Sequence, residues 1–247
     1  MKRRLPPLPP GAAMRWDMVS RLLPTDPGDL LEIGCGQGRF SVRLAERSRS
    51  FLGLEPDRQS FTAASQLLPD STLNIAFEGL PTDRTFDTVC AFEVIEHLAN
   101  DGAALAAWID RVRPGGTMLI SAPAFASRLG SGDRMVGHYR RYDPGDMARM
   151  LSEAGLVDVK VRVYGGPLGW LLEEARNLLA NRKLAEANVP ADLSERTAGS
   201  GRFMQPGFGT GSRFLQAVMR PFLLVQHAFP NKGVALVASG RRPEMPE

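Results

Sequence analysis

Residues 29–38 read DLLEIGCGQG, a short apolar run that passes into a loop with glycine at every second position. The run predicts a buried β-strand over Asp29–Ile33, and the apolar spacing of residues 40–47 predicts a helix after the loop. Because glycine has no Cβ, such a loop turns sharply and lets a ligand lie against its backbone. The stretch therefore predicts the first strand–loop–helix unit of an open α/β sheet, with a ligand at the carboxyl end of the strand.

An acidic residue marks the end of the next predicted strand. Glu55 follows Ser50–Leu54, about 21 residues after Gly34. Adjacent parallel strands end at the same edge of a sheet, where a carboxylate can accept hydrogen bonds from both hydroxyls of an adenosine ribose. The spacing therefore predicts a ligand that contains a nucleoside.

The rest of the chain alternates short apolar runs with helical runs, a pattern typical of βαβ units. Further strands are predicted over residues 73–77, 86–92, 117–122, 157–163 and 233–239. The predicted fold class is α/β, a doubly wound, Rossmann-like sheet of seven mainly parallel strands.

Residues 164–231 separate the sixth and seventh predicted strands. They far exceed the roughly 2–6 residues of an ordinary connection, so we expect a helical insertion that caps the ligand site. The core is then formed by residues 14–163 and 232–241. Residues 1–13 are rich in proline and predict a flexible arm.

The charge and the cysteine content indicate which classes of partner and which cellular compartment to expect. The formal net charge is +3 and the basic residues are scattered, so we expect no nucleic-acid partner. Cys35 and Cys90 show no disulfide-framework spacing, which favours a reducing, cytoplasmic compartment.

Four motifs at consistent intervals resemble those of class I S-adenosylmethionine-dependent methyltransferases. They are the glycine loop that follows Glu32, the acid Glu55, the segment FDTVCAFEVIEHL at residues 86–98, and RPGG at residues 113–116. The best match is the small-molecule branch related to ubiquinone and menaquinone methyltransferases. The resemblance implies S-adenosylmethionine as the cofactor, S-adenosylhomocysteine as its product, and methylation of a small molecule.

The spacing of the glycines also disfavours the alternative cofactor, a dinucleotide. Dinucleotide-binding loops read GxGxxG and place a pyrophosphate at the helix N-terminus. This loop reads GxGxG, and Glu32 precedes it by two residues. A carboxylate there suits the ammonium of S-adenosylmethionine and would repel a pyrophosphate.

The resemblance implies a set of cofactor contacts from four loops. The glycine loop would meet the methionine portion, the acid after strand two the adenosine, and the segment after strand three the adenine. His97 is either a residue that packs the loop or a catalyst, and no metal ligand is predicted. The implied cofactor residues are Glu32, Gly34, Cys35, Gly36, Glu55, Pro56, Glu78, Gly79, Leu80, Phe92, Glu93, Val94 and His97.

Residues 133–143, DRMVGHYRRYD, are dense in polar chemistry and resemble the Gly-His-x-Arg-x-Tyr run of bacterial members of this group. His138 and its neighbour Tyr139 are the predicted catalytic residues, with His138 as a general base or as a group that orients the acceptor. Arg140 or Arg141 would pair with an anionic acceptor. The alternative is that the run only orders the loop above the cofactor.

Aromatic residues in the insertion favour an apolar, aromatic, quinone-like or natural-product acceptor. Residues 214–229 also have the mixed apolar and basic composition of interfacial helices, which makes peripheral membrane contact a less favoured alternative. Two rival functions stay open at this point. One is an RNA or protein methyltransferase, and the other is a catalytically silent module that binds S-adenosylmethionine.

Overall fold

The structure is a computed structural model that describes residues 5–185, 221–228 and 231–244. Its central element is one seven-stranded sheet with the order β3-β2-β1-β4-β5-β7-β6. The strands are β1 (Asp29–Ile33), β2 (Ser50–Leu54), β3 (Thr72–Leu73), β4 (Phe86–Phe92), β5 (Val112–Pro123), β6 (Val157–Gly165) and β7 (Gly233–Arg241).

The strand pairings make the sheet mixed. β1 pairs in parallel with both β2 and β4, β2 pairs in parallel with β3, and β4 with β5. β7 runs antiparallel to both of its neighbours, β5 and β6. The sheet is therefore mixed, with four parallel and two antiparallel pairings, which agrees with the prediction of a mainly parallel sheet. The strand order reverses between β1 and β4, and such a switch point opens a crevice at the carboxyl ends of the strands.

Helices cover both faces of this sheet. They are α1 (Pro10–Leu22), α2 (Ser41–Ala45), α3 (Arg58–Leu67), α4 (Asp101–Ile109), α5 (Ser131–Val136), α6 (Pro144–Glu153) and α7 (Leu168–Ala185), and residues 221–228 are also helical. The side chain of Asp57 caps α3 by accepting a hydrogen bond from the backbone N–H of Ser60 at 2.9 Å. Gly137, in the left-handed conformation, ends α5.

The core has two halves because side chains alternate between the faces of each strand. On β1, Leu31 packs into one apolar cluster with Trp108 of α4 and Met147 of α6. Leu30, its neighbour, packs into the other cluster with Met14 of α1. Both faces are therefore apolar and helix-covered, as in a doubly wound fold.

Several predicted boundaries shift. α1 begins at Pro10, inside the predicted arm of residues 1–13, because proline is well suited to the first turn of a helix. β3 is limited to Thr72–Leu73, residues 74–76 have no regular structure, and a turn of 3₁₀ helix over Phe77–Gly79 begins at the last residue of the predicted strand. α5 was not predicted, since its polar sequence carries no apolar period.

The interval between β6 and β7 contains α7 and the helical residues 221–228. Residues 186–220 lie outside the described residues, as does half of the segment considered for membrane contact, residues 214–229. The insertion as a unit stays a prediction. Among the described residues, no helix has both the length and the apolar character needed to cross a membrane.

Candidate active site

A cavity of about 1550 Å³ lies above the carboxyl ends of β1, β2 and β4. Small-molecule sites are typically about 300–1,000 Å³, so the cavity has room for a cofactor and a second molecule. Its walls include the glycine loop, the start of α1, the loop after β4, residues 136–141 and the first turns of α7.

The glycine loop is held in a conformation that other residues rarely adopt. Gly34, Gly36 and Gly38 have φ values of +71°, +55° and +75°, in the left-handed region that favours glycine. A Cβ at Gly34 would lie 2.6 Å from Cγ2 of Val94. The loop therefore passes close under the segment that follows β4, with its backbone on the cavity.

Glu55 braces this loop from the end of β2. One carboxylate oxygen accepts a hydrogen bond from the N–H of Gly36 at 2.8 Å, and the other accepts one from the N–H of Asp57 at 2.8 Å. Each oxygen keeps a further acceptor position for a ligand hydroxyl. Burial raises the pKa of Glu55 above its usual range, partly offset by these two hydrogen bonds.

Glu32 lies beneath the loop and is only 2% exposed. Its Oε2 atom has no hydrogen-bond partner among the described residues. Burial raises the pKa of this carboxyl to about 8, although Ser41 and Arg15 act in the opposite direction. A buried, underpartnered acid of this kind suits a cationic ligand group, which would supply the missing partner.

Glu93 sits at the end of β4 with a φ of +56°, a strained conformation for a residue with a side chain. Its carboxylate accepts a hydrogen bond from the Ser121 hydroxyl at 2.9 Å and lies 3.6 Å from the guanidinium of Arg15. Arg15 also donates to the Tyr164 hydroxyl at 3.2 Å. Sequence reasoning missed Arg15, since an arginine in an amphipathic helix gives no signal that it faces a cavity.

His138 is fixed by the buried carboxylate of Asp133. Its Nδ1 lies 2.9 Å from Oδ1 of Asp133, and the His138 side chain is 7% exposed. Asp133 also accepts hydrogen bonds from the N–H of Gly130 at 2.8 Å and from Nε of Arg141 at 2.9 Å. These donors hold the pKa of Asp133 below its usual range despite its burial. A carboxylate on Nδ1 leaves Nε2 as the atom available to other groups.

The two arginines beside His138 are engaged within the protein. Arg141 is buried and pairs with Asp133 and with Glu173 of α7. Arg140 pairs with Asp101 at 2.8 Å. The hypothesis that either arginine binds an anionic acceptor therefore has no support in this geometry.

Glu96, His97 and His138 converge at the edge of the cavity. One ligand-type atom from each lies within 4.8 Å of the other two. Glu96 is fully buried, and neither carboxylate oxygen has a hydrogen-bond partner among the described residues. Burial and the His138 ring lower the pKa of His97 to about 4. No local pattern in the sequence predicted this grouping, since His138 lies in a loop that is distant along the chain.

Most predicted site residues line this one cavity. Gly79 and Leu80 do not, because the 3₁₀ turn points them away from it, and Leu80 is a core residue at 2% exposure. His138 and Tyr139, the predicted catalytic pair, both line the cavity. The predicted cofactor residues on the cavity wall are Glu32, Gly34, Cys35, Gly36, Glu55, Pro56, Glu78, Phe92, Glu93, Val94 and His97.

Comparison with known proteins identifies the domain. A family model described as a methyltransferase domain matches residues 11–161, more than half of the chain. The chain belongs to this methyltransferase family. A probable S-adenosylmethionine-dependent methyltransferase of Mycolicibacterium smegmatis is 30% identical over 144 residues, which cover 56% of this chain and 56% of the relative. The chain thus matches only a little over half the length of that relative.

Other relatives carry more specific names. A ubiquinone biosynthesis O-methyltransferase of Dinoroseobacter shibae is 29% identical over 182 residues, covering 62% of this chain and 70% of the relative. Among solved structures, the N-methyltransferase NodS of Bradyrhizobium japonicum, in complex with S-adenosylhomocysteine, has a TM-score of 0.56 at 16% identity, covering 93% of this chain and 86% of its own. The [4+2]-cyclase SpnF has a TM-score of 0.59 at 17% identity, and the match covers 93% of this chain and 80% of the SpnF chain. These structures share the fold with this chain, and the cofactor of the family is S-adenosylmethionine.

Proposed function

We propose that this protein transfers the methyl group of S-adenosylmethionine to a hydroxyl group of a small, largely apolar acceptor. One observation carries the proposal. The glycine loop with its two acids and the pair His138–Tyr139 line one cavity that is large enough for two molecules.

The residues at the edge of β1 and β2 fit the cofactor. We assign Glu55 to the ribose hydroxyls, because each of its oxygens keeps an acceptor position beside the loop. We assign Glu32 to the methionine ammonium and Arg15 to the methionine carboxylate, since opposite charges favour those pairings. Further proposed contacts with the cofactor are Gly34, Cys35, Gly36, Pro56, Glu78, Phe92, Glu93, Val94 and His97, all of which line the cavity.

The acceptor side is assigned to the wall formed by His138 and Tyr139. When bound, S-adenosylmethionine would supply a methyl group on a positively charged sulfur; the acceptor oxygen would bond to the methyl carbon as the carbon–sulfur bond breaks, which leaves S-adenosylhomocysteine. The task of the protein is then to hold that oxygen in attack geometry and to assist the loss of its proton. His138 suits this task because Asp133 fixes its ring and leaves Nε2 facing away from the carboxylate.

The class of acceptor follows from the walls and from the relatives. Apolar side chains of Val136, Leu172 and Val234 line the cavity beyond His138. Several relatives are named as O-methyltransferases of ubiquinone biosynthesis. We therefore propose an aromatic or quinone-like hydroxyl compound as the acceptor. The helical insertion over residues 164–231 would contribute its outer wall.

Calorimetry with S-adenosylhomocysteine and NADH tests the cofactor assignment. We expect S-adenosylhomocysteine to bind and NADH not to bind. Replacement of Glu55 by Ala should weaken binding at least tenfold, because the ribose hydroxyls lose their partner. Asp70→Ala is the matched control, since Asp70 is an exposed acid that does not line the cavity.

Transfer itself is tested with labelled S-adenosylmethionine and a panel of catechols, hydroquinones and aliphatic alcohols. We expect label to pass to an aromatic hydroxyl in the wild type and to be lost in His138→Ala. Label on RNA or protein instead would contradict the small-molecule assignment. Tight cofactor binding with no transfer to any class would favour a silent binding module.

A further inference from the structure

We propose that Arg176 of α7 binds a carboxylate group on the methyl acceptor, so that the acceptor is a hydroxylated aromatic acid. The inference deepens the proposed function and rests on it, because it names the class of molecule that fills the acceptor side of the cavity. Arg176 lines that cavity together with His138 and Tyr139.

One side of α7 lines the cavity. The residues that do so recur every three or four positions, which places them on the same face of the helix. They are Gly169, Leu172, Glu173 and Arg176. The Arg176 side chain is 29% exposed, so most of it is packed. Arg176 therefore brings a positive charge to the cavity wall from a side chain that the protein holds in place.

The ion pairs around Arg176 leave a surplus of positive charge. Arg128 and Arg141 both pair with Glu173, and Arg141 also pairs with Asp133 at 2.7 Å. Arg176 joins this network through Asp133, whose Oδ1 lies 3.4 Å from Nη2 of the arginine. Among the described residues, the network thus contains three arginines and two carboxylates. A surplus charge of this kind beside a cavity favours an anionic ligand group.

The Asp133 carboxylate is shared among too many donors to satisfy Arg176. Its two oxygens already meet Gly130, His138 and Arg141 at 2.8–2.9 Å, and the contact with Arg176 is longer, at 3.4 Å. The Nε atom of Arg176 has no hydrogen-bond partner among the described residues. A guanidinium has five N–H donors in a planar fork that matches a carboxylate, so Arg176 retains donors for a ligand.

α5 leaves room for the Arg176 side chain at a glycine. A Cβ at Gly132 would lie 2.6 Å from Nε of Arg176, so the arginine packs where any other residue of α5 would displace it. Glycine is unfavourable inside a helix. Its presence at this position of α5 therefore fits a requirement for the close approach of Arg176.

Arg176 lies close enough to His138 for one small molecule to contact both. Nη2 of Arg176 and Nδ1 of His138 lie 3.4 Å and 2.9 Å from the same oxygen of Asp133, so the two nitrogens are at most about 6.3 Å apart. That span is comparable with one substituted aromatic ring. An acceptor of this size can place its hydroxyl at His138 and its carboxylate at Arg176.

The size of the charge surplus favours a carboxylate over a phosphate. A carboxylate carries one negative charge at neutral pH, whereas a phosphate monoester carries about −1.5 to −2. Glu96, a further acid near His138, does not offset the surplus, because burial and the charge of Glu93 raise its pKa well above the usual range. A single negative charge therefore completes the network.

Calorimetry on the full chain, saturated with S-adenosylhomocysteine, tests the assignment. The probes are dihydroxybenzoates and their carboxamides, which match in shape and differ in charge. We expect the wild type to bind at least one dihydroxybenzoate tenfold or more tightly than its carboxamide. Arg176→Met should abolish this preference, and Arg176→Lys should restore only part of it, since lysine lacks the planar fork. Arg182→Met, at an exposed position of α7 outside the cavity, should keep the wild-type preference.

Gly132→Ala is a second variant that displaces the guanidinium and keeps its charge, and it should weaken the preference as well. A wild type that binds S-adenosylhomocysteine but no dihydroxybenzoate, or binds acid and carboxamide equally, would overturn the carboxylate site alone. A preference that survives in Arg176→Met would also overturn it. A hydroxyphenyl phosphate that binds more tightly than every dihydroxybenzoate would replace the carboxylate by a phosphate. Failure of the wild type to bind S-adenosylhomocysteine would instead contradict the proposed function.

Discussion

At Gly34 the backbone has a φ of +71° and passes within reach of Val94. Gly34→Ala would place its new methyl group 2.6 Å from Cγ2 of Val94 and would strain the left-handed conformation. We expect the affinity for S-adenosylhomocysteine to fall at least tenfold in calorimetry, because the loop must move off the ligand. Gly145→Ala in α6 is the control, since nothing lies within 4 Å of that position and it does not line the cavity. Equal affinities in the two variants would contradict a close-fitting loop.

We expect the proposed contact of Glu32 with the cofactor to make cofactor binding depend on pH. Its pKa in the folded protein is about 8, against an ordinary value of 4.5, with burial as the main cause. The folded state thus binds the proton more tightly than the unfolded state, so this group lowers the free energy of unfolding of the ligand-free protein as pH rises from about 4.5 to 8. A ligand ammonium needs the ionised form, so affinity should rise over the upper part of that interval.

Calorimetry with S-adenosylhomocysteine between pH 6 and pH 8 checks this expectation. The wild type should bind more tightly at the higher pH and release a proton on binding, because the ammonium stabilises the carboxylate. Glu32→Gln should bind more weakly at pH 8 and show a smaller pH dependence. A pH dependence as steep in Glu32→Gln as in the wild type would assign it to another group.

At the scale of the elements, buried ion pairs connect α7 to the segment that follows β5. Glu173 of α7 is 5% exposed and pairs with Arg141, which is 4% exposed, and with Arg128. Glu173→Gln would remove one of the two carboxylates that balance the buried charge of Arg141. Breaking a buried ion pair lowers the free energy of unfolding by about 3–5 kcal/mol. We expect urea unfolding to show a loss of that order, with Asp133 still offsetting part of it. Glu174→Gln, at the exposed neighbouring position, should change stability by less than about 0.5 kcal/mol.

A comparison of predicted and observed elements shows which parts of the fold can be predicted from the sequence. β1, β2 and β4 begin and end where predicted, because buried strands read as apolar runs with glycine or acids at their ends. α5 was missed, since tertiary ion pairs with α7 stabilise it and its own sequence has no apolar period. The position of Arg15 at the cavity and the proximity of Glu96 to His138 were not predicted for a similar reason. Contacts between distant segments depend on the tertiary fold and leave no local sequence pattern.

Over the whole molecule, the cavity is closed by segments that are far apart in the chain. The extended residues before α1, including Leu8 and Pro9, line it together with the glycine loop, residues of the 136–141 segment and α7. The ends of the strands form the base of the cavity, and these segments form its sides. Under the proposed function, cofactor and acceptor would therefore meet between parts that the core positions independently, which suits a fold that hosts many chemistries.

One contact fastens the N-terminal segment over the cofactor side. Nη2 of Arg43 donates to the Pro6 carbonyl at 2.7 Å, and Leu8 is 8% exposed. Arg43→Met keeps the apolar stem and removes the hydrogen bond, so the segment should detach more readily. We expect the dissociation rate of S-adenosylhomocysteine in stopped-flow measurements to rise several-fold, with a smaller change in the association rate, because the segment covers bound ligand.

A second variant and a control make this prediction specific. Deletion of residues 2–8 should raise the dissociation rate as much as Arg43→Met does, and the two changes together should add nothing, since both release the same segment. Arg149→Met, on the exposed face of α6 and away from the cavity, should leave the rate unchanged. If the deletion has no effect on dissociation while Arg43→Met does, the arginine acts through α2 and the glycine loop, and the N-terminal segment does not retain the cofactor.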